Sequence, residues 1–448
     1  MIYFWLNDNI NIKATDGTLV TYNKLKVPVN PNNSTAYIST YEDFLDLKEV
    51  LSKVDKDKFH AKTLIERKIR TFDTFPIELG ISNENEFEKI THLEKNYKKD
   101  KYIKNEKDID SIAYDMNRVD LYKQLKNLNK DEVKIVLIGG VGKSISEIMV
   151  SCTALRIFYN KLKEVYKKVK LDIYISASNN TFYSRDKLIY QTQDFVNEIY
   201  PLSITLDKFT KYDYYIDNSS VLKSSFYFRD LNLVDAWLYK FGIDYKKIPD
   251  SMKYNQLNLN NYEVRSELSE KFKTLKSKGK LLLFHPYSAN VEKSIPQAIA
   301  SEMLKNLILE AQDYTIVSTL SIDGKIFDDN FIDLSKESKI ITDFIYIVSN
   351  MDAVVTVDTS TYHISETFMI PTVVFFTRED FEKRIKYYSY IKSIFVKDES
   401  KNLSKFVFTN ENLTFYKLDG WKKLKIKKII KLLESFWYNL RLLKNKKE

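Results

Sequence analysis

Residues 341–377 read ITDFIYIVSNMDAVVTVDTSTYHISETFMIPTVVFFT, and the order of residue types in this stretch sets the fold class. Ala353-Val354-Val355-Thr356-Val357 is a short, apolar, β-branched run of the kind that forms a strand buried on both faces of a parallel sheet. It stops at Asp358. Thr359, Ser360 and Thr361 follow, hydroxyl residues suited to capping a helix begun by His363-Ile364-Ser365-Glu366-Thr367, and Ile370-Pro371 ends that helix before a second apolar run over 372–376. Strand, polar turn, helix, strand is the repeating unit of an α/β protein. At such a turn the unpaired helix N–H groups point outward at the carboxyl end of the sheet, where the dipole also favours negative charge, so phosphate is the expected guest. A plain structural N-cap is the competing reading of the same pattern.

The totals bound what surrounds this unit. A chain of 448 residues is long enough for two or three domains with full cores, and 44% hydrophobic with 29% charged residues is ordinary for a globular protein. Lys+Arg at 70 against Asp+Glu at 61 leaves a net charge of +9, which suits nucleotide, phosphorylated glycan or anionic lipid. One cysteine, Cys152, permits no internal disulfide and no cysteine-based metal cluster, which favours a reducing, cytoplasmic setting. His60, His92, His285 and His363 have no zinc-site spacing. Neither a signal peptide nor a run of ~18 apolar residues is found.

Taken in order, residues 1–130 read as an N-terminal α+β accessory module. Residues 10–22 form a β-hairpin turning at Asp16-Gly17, residues 35–39 a further strand, and residues 41–54, 84–97 and 109–128 charged helices thin in apolar stripe. From Val133 the chain alternates strand and helix. Strands at 133–138, 171–176 and 212–217, with a helix over 146–161 turning Ile148, Cys152, Leu155 and Phe158 inward, make a first Rossmann-like domain, 131–265. A Lys-rich polar connection at 266–280 leads to a second, 280–420, with strands at 281–284, 315–318, 339–341, 353–357 and 372–376 and helices at 296–311 and 343–350. Residues 421–448 are a basic amphipathic helix, fit either to lie on an anionic membrane surface or to brace back against the N-terminal half.

Two further stretches carry candidate chemistry. Ile138-Gly139-Gly140-Val141-Gly142-Lys143-Ser144 contains the second half of a Walker A motif, with Leu137 where the first glycine belongs, and residues 212–217 resemble a Walker B strand, so a P-loop ATPase is one reading of the chain. Glu147, just beyond, is either a general base facing a cleft or a solvated helix-start carboxylate. In the second half, His285-Pro286-Tyr287-Ser288-Ala289-Asn290-Val291-Glu292-Lys293 follows a strand directly.

The segment 357–363, VDTSTYH, resembles the D-[ST]-G-x-x-H segment of the heptosyltransferase family of glycosyltransferases, with Ser360 in the glycine position. Residues 147–156, EIMVSCTALR, resemble that family's G-D-x-x-x-x-x-P-A-L-R segment, and Lys293-Ser294-Ile295-Pro296 its K-x-W-P segment. The segment Phe241-Gly242-Ile243-Asp244 with Ile248-Pro249 adds similarity, so that the likeness spans about 131–377. The resemblance implies a GT-B fold, two Rossmann-like doubly wound domains facing a cleft, and an inverting glycosyltransferase with no metal and no cofactor besides its nucleotide diphosphate sugar. It implies Glu147 as general base, Lys293 neutralising the leaving phosphates, and Ser288, Asn290, Asp358, Thr359, Ser360, Thr361 and His363 as nucleotide-sugar contacts, His363 mainly orienting the turn. A ribose-binding carboxylate is expected near 319–328, with Asp323 as candidate. The implied acceptor is a cell-surface glycan or glycolipid of the lipopolysaccharide type, reached at the cytoplasmic face of the inner membrane, with no nucleic acid partner. A protein acceptor, or a catalytically inactive GT-B subunit that only binds, would suit the same motifs.

Overall fold

The computed structural model describes residues 2–4, 6, 8–24, 37–54, 70–71, 91–92, 121–209, 211–217, 231–322, 326, 328–397 and 420–445. The chain divides into two compact units, Met1–Lys253 and Tyr254–Glu448.

In the first unit, β1 (Ile2–Phe4), β2 (Ile10–Lys13), β3 (Leu19–Tyr22) and β4 (Tyr37–Ser39) precede helix α1 (Tyr41–Val54). β2 and β3 pair antiparallel, as expected, but five residues link them rather than two. Gly17 takes a φ of 86° there, and the Ala14 N–H donates to the Thr18 carbonyl at 2.9 Å. The helix expected over 84–97 is corrected, because Thr91–His92 (β6) pairs antiparallel with Arg70–Thr71 (β5). That stretch has no apolar stripe that a helix could bury. The rest of it lies outside the described residues. Of the helix expected over 109–128, Leu121–Lys126 is helical and 109–120 lie outside the described residues.

A parallel sheet follows, built of β7 (Glu132–Ile138), β8 (Lys168–Ile175), β9 (Glu198–Pro201) and, after the short β10 (Ile204–Thr205), β11 (Tyr214–Asp217). Its spatial order is β11-β7-β8-β9. β10 pairs instead with β4, and the Tyr22 hydroxyl donates to the Leu202 carbonyl at 3.0 Å, so the N-terminal strands share one unit with the parallel sheet. α2 (Ile145–Lys163) buries Ile148, Cys152, Leu155 and Phe158 as its spacing predicts, and burial pushes the Cys152 thiol far up.

The second unit carries β12 (Lys280–His285), β13 (Tyr314–Ser318), β14 (Phe331–Asp333), β15 (Ala353–Val357), β16 (Thr372–Phe376) and β17 (Ile391–Phe395), all parallel, in the order β14-β13-β12-β15-β16-β17. Numbered within the sheet this is 3-2-1-4-5-6, the doubly wound arrangement, and the winding reverses between β12 and β15. Alternate residues feed opposite faces. Val373 and Phe375 join the larger core, whereas Val374 and Phe376 pack with Tyr362 on the other side.

Two expectations in this unit are corrected. The segment 266–280, read as a polar connection, is mostly helix (Ser266–Lys278) with Leu268, Phe272 and Leu275 buried; its lysines obscured an i, i+4, i+7 stripe. No strand covers 339–341. The carboxylate of Asp343 accepts the backbone N–H groups of Lys339 and Ile340 at 3.1 and 3.2 Å and starts a helix at Ile341, so that Phe331–Asp333 supplies the third strand. The C-terminal helix, Ile426–Asn445, buries Ile426, Ile429 and Leu433 in the larger core of its own unit, and Phe436 is buried as well. Its apolar stripe as far as Phe436 is therefore engaged within this unit.

Candidate functional site

Ligands of doubly wound sheets bind outside the carboxyl ends of the strands where the winding reverses. In the second unit that point lies beyond His285 of β12 and Val357 of β15, which run side by side with His285 opposite Thr356. The Thr356 hydroxyl fastens them, donating to the His285 carbonyl at 3.1 Å. Both C-terminal motifs read from the sequence are thereby brought to one crevice.

The loop after β12 closes on itself. The Ile295 N–H donates to the Pro286 carbonyl at 2.9 Å, the Ser288 N–H to Ser294 Oγ at 2.9 Å, and the Glu292 N–H to Asn290 Oδ1 at 2.9 Å, capping the 3-10 turn Val291–Lys293. Ser288 Oγ accepts from the Asn290 N–H at 3.3 Å. Ser288 and Asn290 thus shape the turn that presents Lys293. Its ammonium lies 2.7 Å from Asp358 Oδ2.

Asp358, 4% exposed at the end of β15, also receives a residue that the sequence motifs do not include. Arg384, on the single helical turn Phe381–Arg384, donates from Nη1 to Oδ1 and Oδ2 at 2.8 and 3.0 Å. Burial alone would raise this carboxyl's pKa, but the Arg384 guanidinium and the Lys293 ammonium outweigh it and hold it below the ordinary value. The helix expected from His363 begins earlier, at Ser360, and runs to Thr367. Thr359 takes the N-cap position, Ser360 and Thr361 fall in the first turn, and Thr361 is fully buried with no hydrogen-bond partner for its Oγ1.

His363 stands one turn along that helix, buried, with its ring 4.0 Å from that of Tyr362 and edge-on to Tyr388. Asn255 Nδ2 donates to the Tyr388 hydroxyl at 2.8 Å, and that hydroxyl shares a hydrogen bond with His363 Nδ1, 2.5 Å away. The imidazole is neutral. Burial first, and the Arg384 charge second, push its pKa down to about 3. Nothing in the Lys- and Tyr-rich run 382–390 distinguishes Arg384 or Tyr388 before the sheet is folded.

No protein-family model matches the chain, and neither does any curated protein sequence. Among solved structures the chain is similar to a glycosyl transferase family 9 protein from Veillonella parvula DSM 2008, at 11% identity over 69% of this chain and 97% of that one, with a TM-score of 0.42. It is also similar to ADP-heptose LPS heptosyltransferase II of E. coli, at 13% identity over 65% of this chain and 99% of that one, TM-score 0.39. A third similar structure is the iron-containing dodecameric glycosyltransferase TibC from enterotoxigenic E. coli H10407, at 11% identity over 58% and 63% of the two chains, TM-score 0.37.

Glu147 belongs to the first unit. It sits in the opening turn of α2, where its N–H donates to Ser144 Oγ at 3.2 Å and its Oε2 accepts the Lys143 N–H at 2.9 Å, a reciprocal cap of the helix start. This geometry also bears on the P-loop reading. The Gly139 N–H donates to the Tyr174 carbonyl, the Val141 N–H to the Tyr190 hydroxyl and the Lys143 N–H to Glu147, so three amides that would cradle a phosphate are engaged, one by a carboxylate. The Lys143 ammonium lies 2.6 Å from Glu42. The glycines are explained by backbone: Gly140 has a φ of 70°, and a Cβ on Gly142 would come within 2.8 Å of the Ile148 nitrogen. Asp323 lies outside the described residues. Among the described residues no group of three or more His, Cys, Asp and Glu is placed to hold a metal ion.

Proposed function

We propose that the chain is a glycosyltransferase that takes a sugar from a nucleoside diphosphate donor. The observation that carries this reading is the meeting of Lys293 and Asp358, from two separate motifs, at the carboxyl ends of β12 and β15. A sheet of this winding offers its ligand site at that place, and a helix start with two cations beside it suits a diphosphate. The sequence resemblance assigns the same two positions to the donor.

In the mechanism proposed, Lys293 and the amides at the start of the helix 360–367 stabilise the charge that grows on the diphosphate as the sugar departs. No metal is needed for that task, and the reaction inverts the anomeric centre. Glu147 takes the proton of the acceptor hydroxyl, which requires it to exchange the Lys143 N–H for that hydroxyl. The donor sugar is a hexose or heptose, and the acceptor a cell-surface glycan or glycolipid. Contact with an anionic inner-membrane surface, on the cytoplasmic side, rests on the exposed Lys422, Lys425, Lys428 and Lys431 rather than on the buried stripe.

Incubation with ADP-, UDP- and GDP-sugars in the presence of a chelator tests the reading through release of the nucleoside diphosphate. Release that survives chelation and is lost in both Lys293→Ala and Asp358→Ala supports it; release untouched by both substitutions overturns it. One observation favours a second reading, a protein that binds the donor without transfer. It is the use of the Glu147 carboxylate as a helix cap. Donor binding with no turnover, unchanged in Glu147→Gln, would establish that second reading.

A further inference from the structure

Lys293 and Asp358 alone do not make an anion site. Their charges cancel at 2.7 Å, which leaves only the half charge of a helix start to attract a phosphate. Arg384 changes the sum. Two cations against one carboxylate give a net +1 before the helix is counted, and Asp380, the other acid near Arg384, is taken by Arg378 at 2.7 and 2.8 Å. The Arg384 side chain is 34% exposed, so it stays within reach of a ligand while holding Asp358.

Resting on the donor reading above, we infer that Arg384 is a binding residue for the diphosphate and the source of the site's preference for two phosphates over one. Asp358 keeps the guanidinium and the ammonium of Lys293 side by side on one carboxylate, each cation with donors left over. Arg384 has five N–H donors in a fixed fork, which suits adjacent phosphate oxygens better than a point charge does. A single phosphate is served by Lys293 and the helix start; the second phosphate calls on Arg384.

The test uses the full chain and isothermal titration with ADP, UDP and GDP, each beside its monophosphate. Arg384→Gln should weaken the diphosphate that binds by roughly ten- to a hundredfold, while its monophosphate changes by only a few-fold, as expected for one charge-assisted contact. Arg384→Lys should recover part of the loss. Asp358 keeps Lys293 as partner in both variants, and a single cooperative melting transition above the titration temperature checks the fold. Equal diphosphate affinity in wild type and Arg384→Gln, or equal losses for diphosphate and monophosphate, overturns the inference and leaves the donor reading standing. If wild type binds none of the three diphosphates, the donor reading fails and this inference falls with it.

Discussion

Asp358 is the residue on which the two cations of the candidate site converge. Asp358→Asn leaves Arg384 and Lys293 facing each other without their shared anion, and breaking a buried pair of this kind costs about 3 kcal/mol, read by urea unfolding at pH 7. Because the folded pKa of this carboxyl is depressed, its contribution is full above the unfolded value of about 4 and is lost as pH falls below it. The buried histidines act over a different window. His363 and His285 are held down to about 3 and about 4, so both stay neutral in the fold, while the unfolded chain takes up their protons at about pH 6.5. Stability is therefore full above about pH 6.5 and falls as the solution is acidified, by up to about 1.4 kcal/mol per pH unit for each ring. Urea titrations at pH 7 and 5.5 should show this slope, and His363→Gln should lower it by one ring's share. At this scale the sequence was legible where a residue lies in a strand-end motif, as Asp358, Lys293 and His363 do. Arg384, Tyr388 and Asn255 were not, because their part depends on which chain segments the sheet brings together.

Among elements, the glycine turn before α2 and the C-terminal helix invite direct tests. Gly142 has no room for a side chain against the start of α2, so Gly142→Ala should destabilise the first unit by roughly 1–3 kcal/mol, measured by thermal unfolding. In the C-terminal helix, Ile429→Ala removes a fully buried side chain and should cost about 2–4 kcal/mol. A surface helix waiting for lipid would lose nothing by that change. Strands were the most legible elements: 353–357 and 372–376 appear with the bounds read from their apolar runs. Two failures have one cause. In 266–280 and 339–341 the deciding residues were a few well-spaced apolar side chains and one capping aspartate, set among lysines and serines that suggested something else.

For the molecule as a whole, the sheet order in the second unit was within reach of the sequence only as a class. Strand–helix alternation implies parallel strands, but the reversal between β12 and β15 depends on side-by-side pairing that no single stretch encodes. That reversal is also what joins the two motifs. A donor that binds the native state alone should raise the melting temperature of the full chain, with a stabilisation of about 2.7 kcal/mol when its concentration is about a hundred times Kd. The rise should persist in a chelator and disappear in Lys293→Ala.

Cys152 has a practical consequence. The chain's single sulfhydryl is sealed within α2 and kept protonated, and only a thiolate reacts with maleimides or iodoacetamides. The wild-type protein is therefore a silent background for site-directed labelling. Cysteines placed at two exposed positions, Leu19 in the first unit and Met369 in the second, would each accept a dye or spin label without interference from the native residue. Each label would then report on its own unit as nucleotide is added.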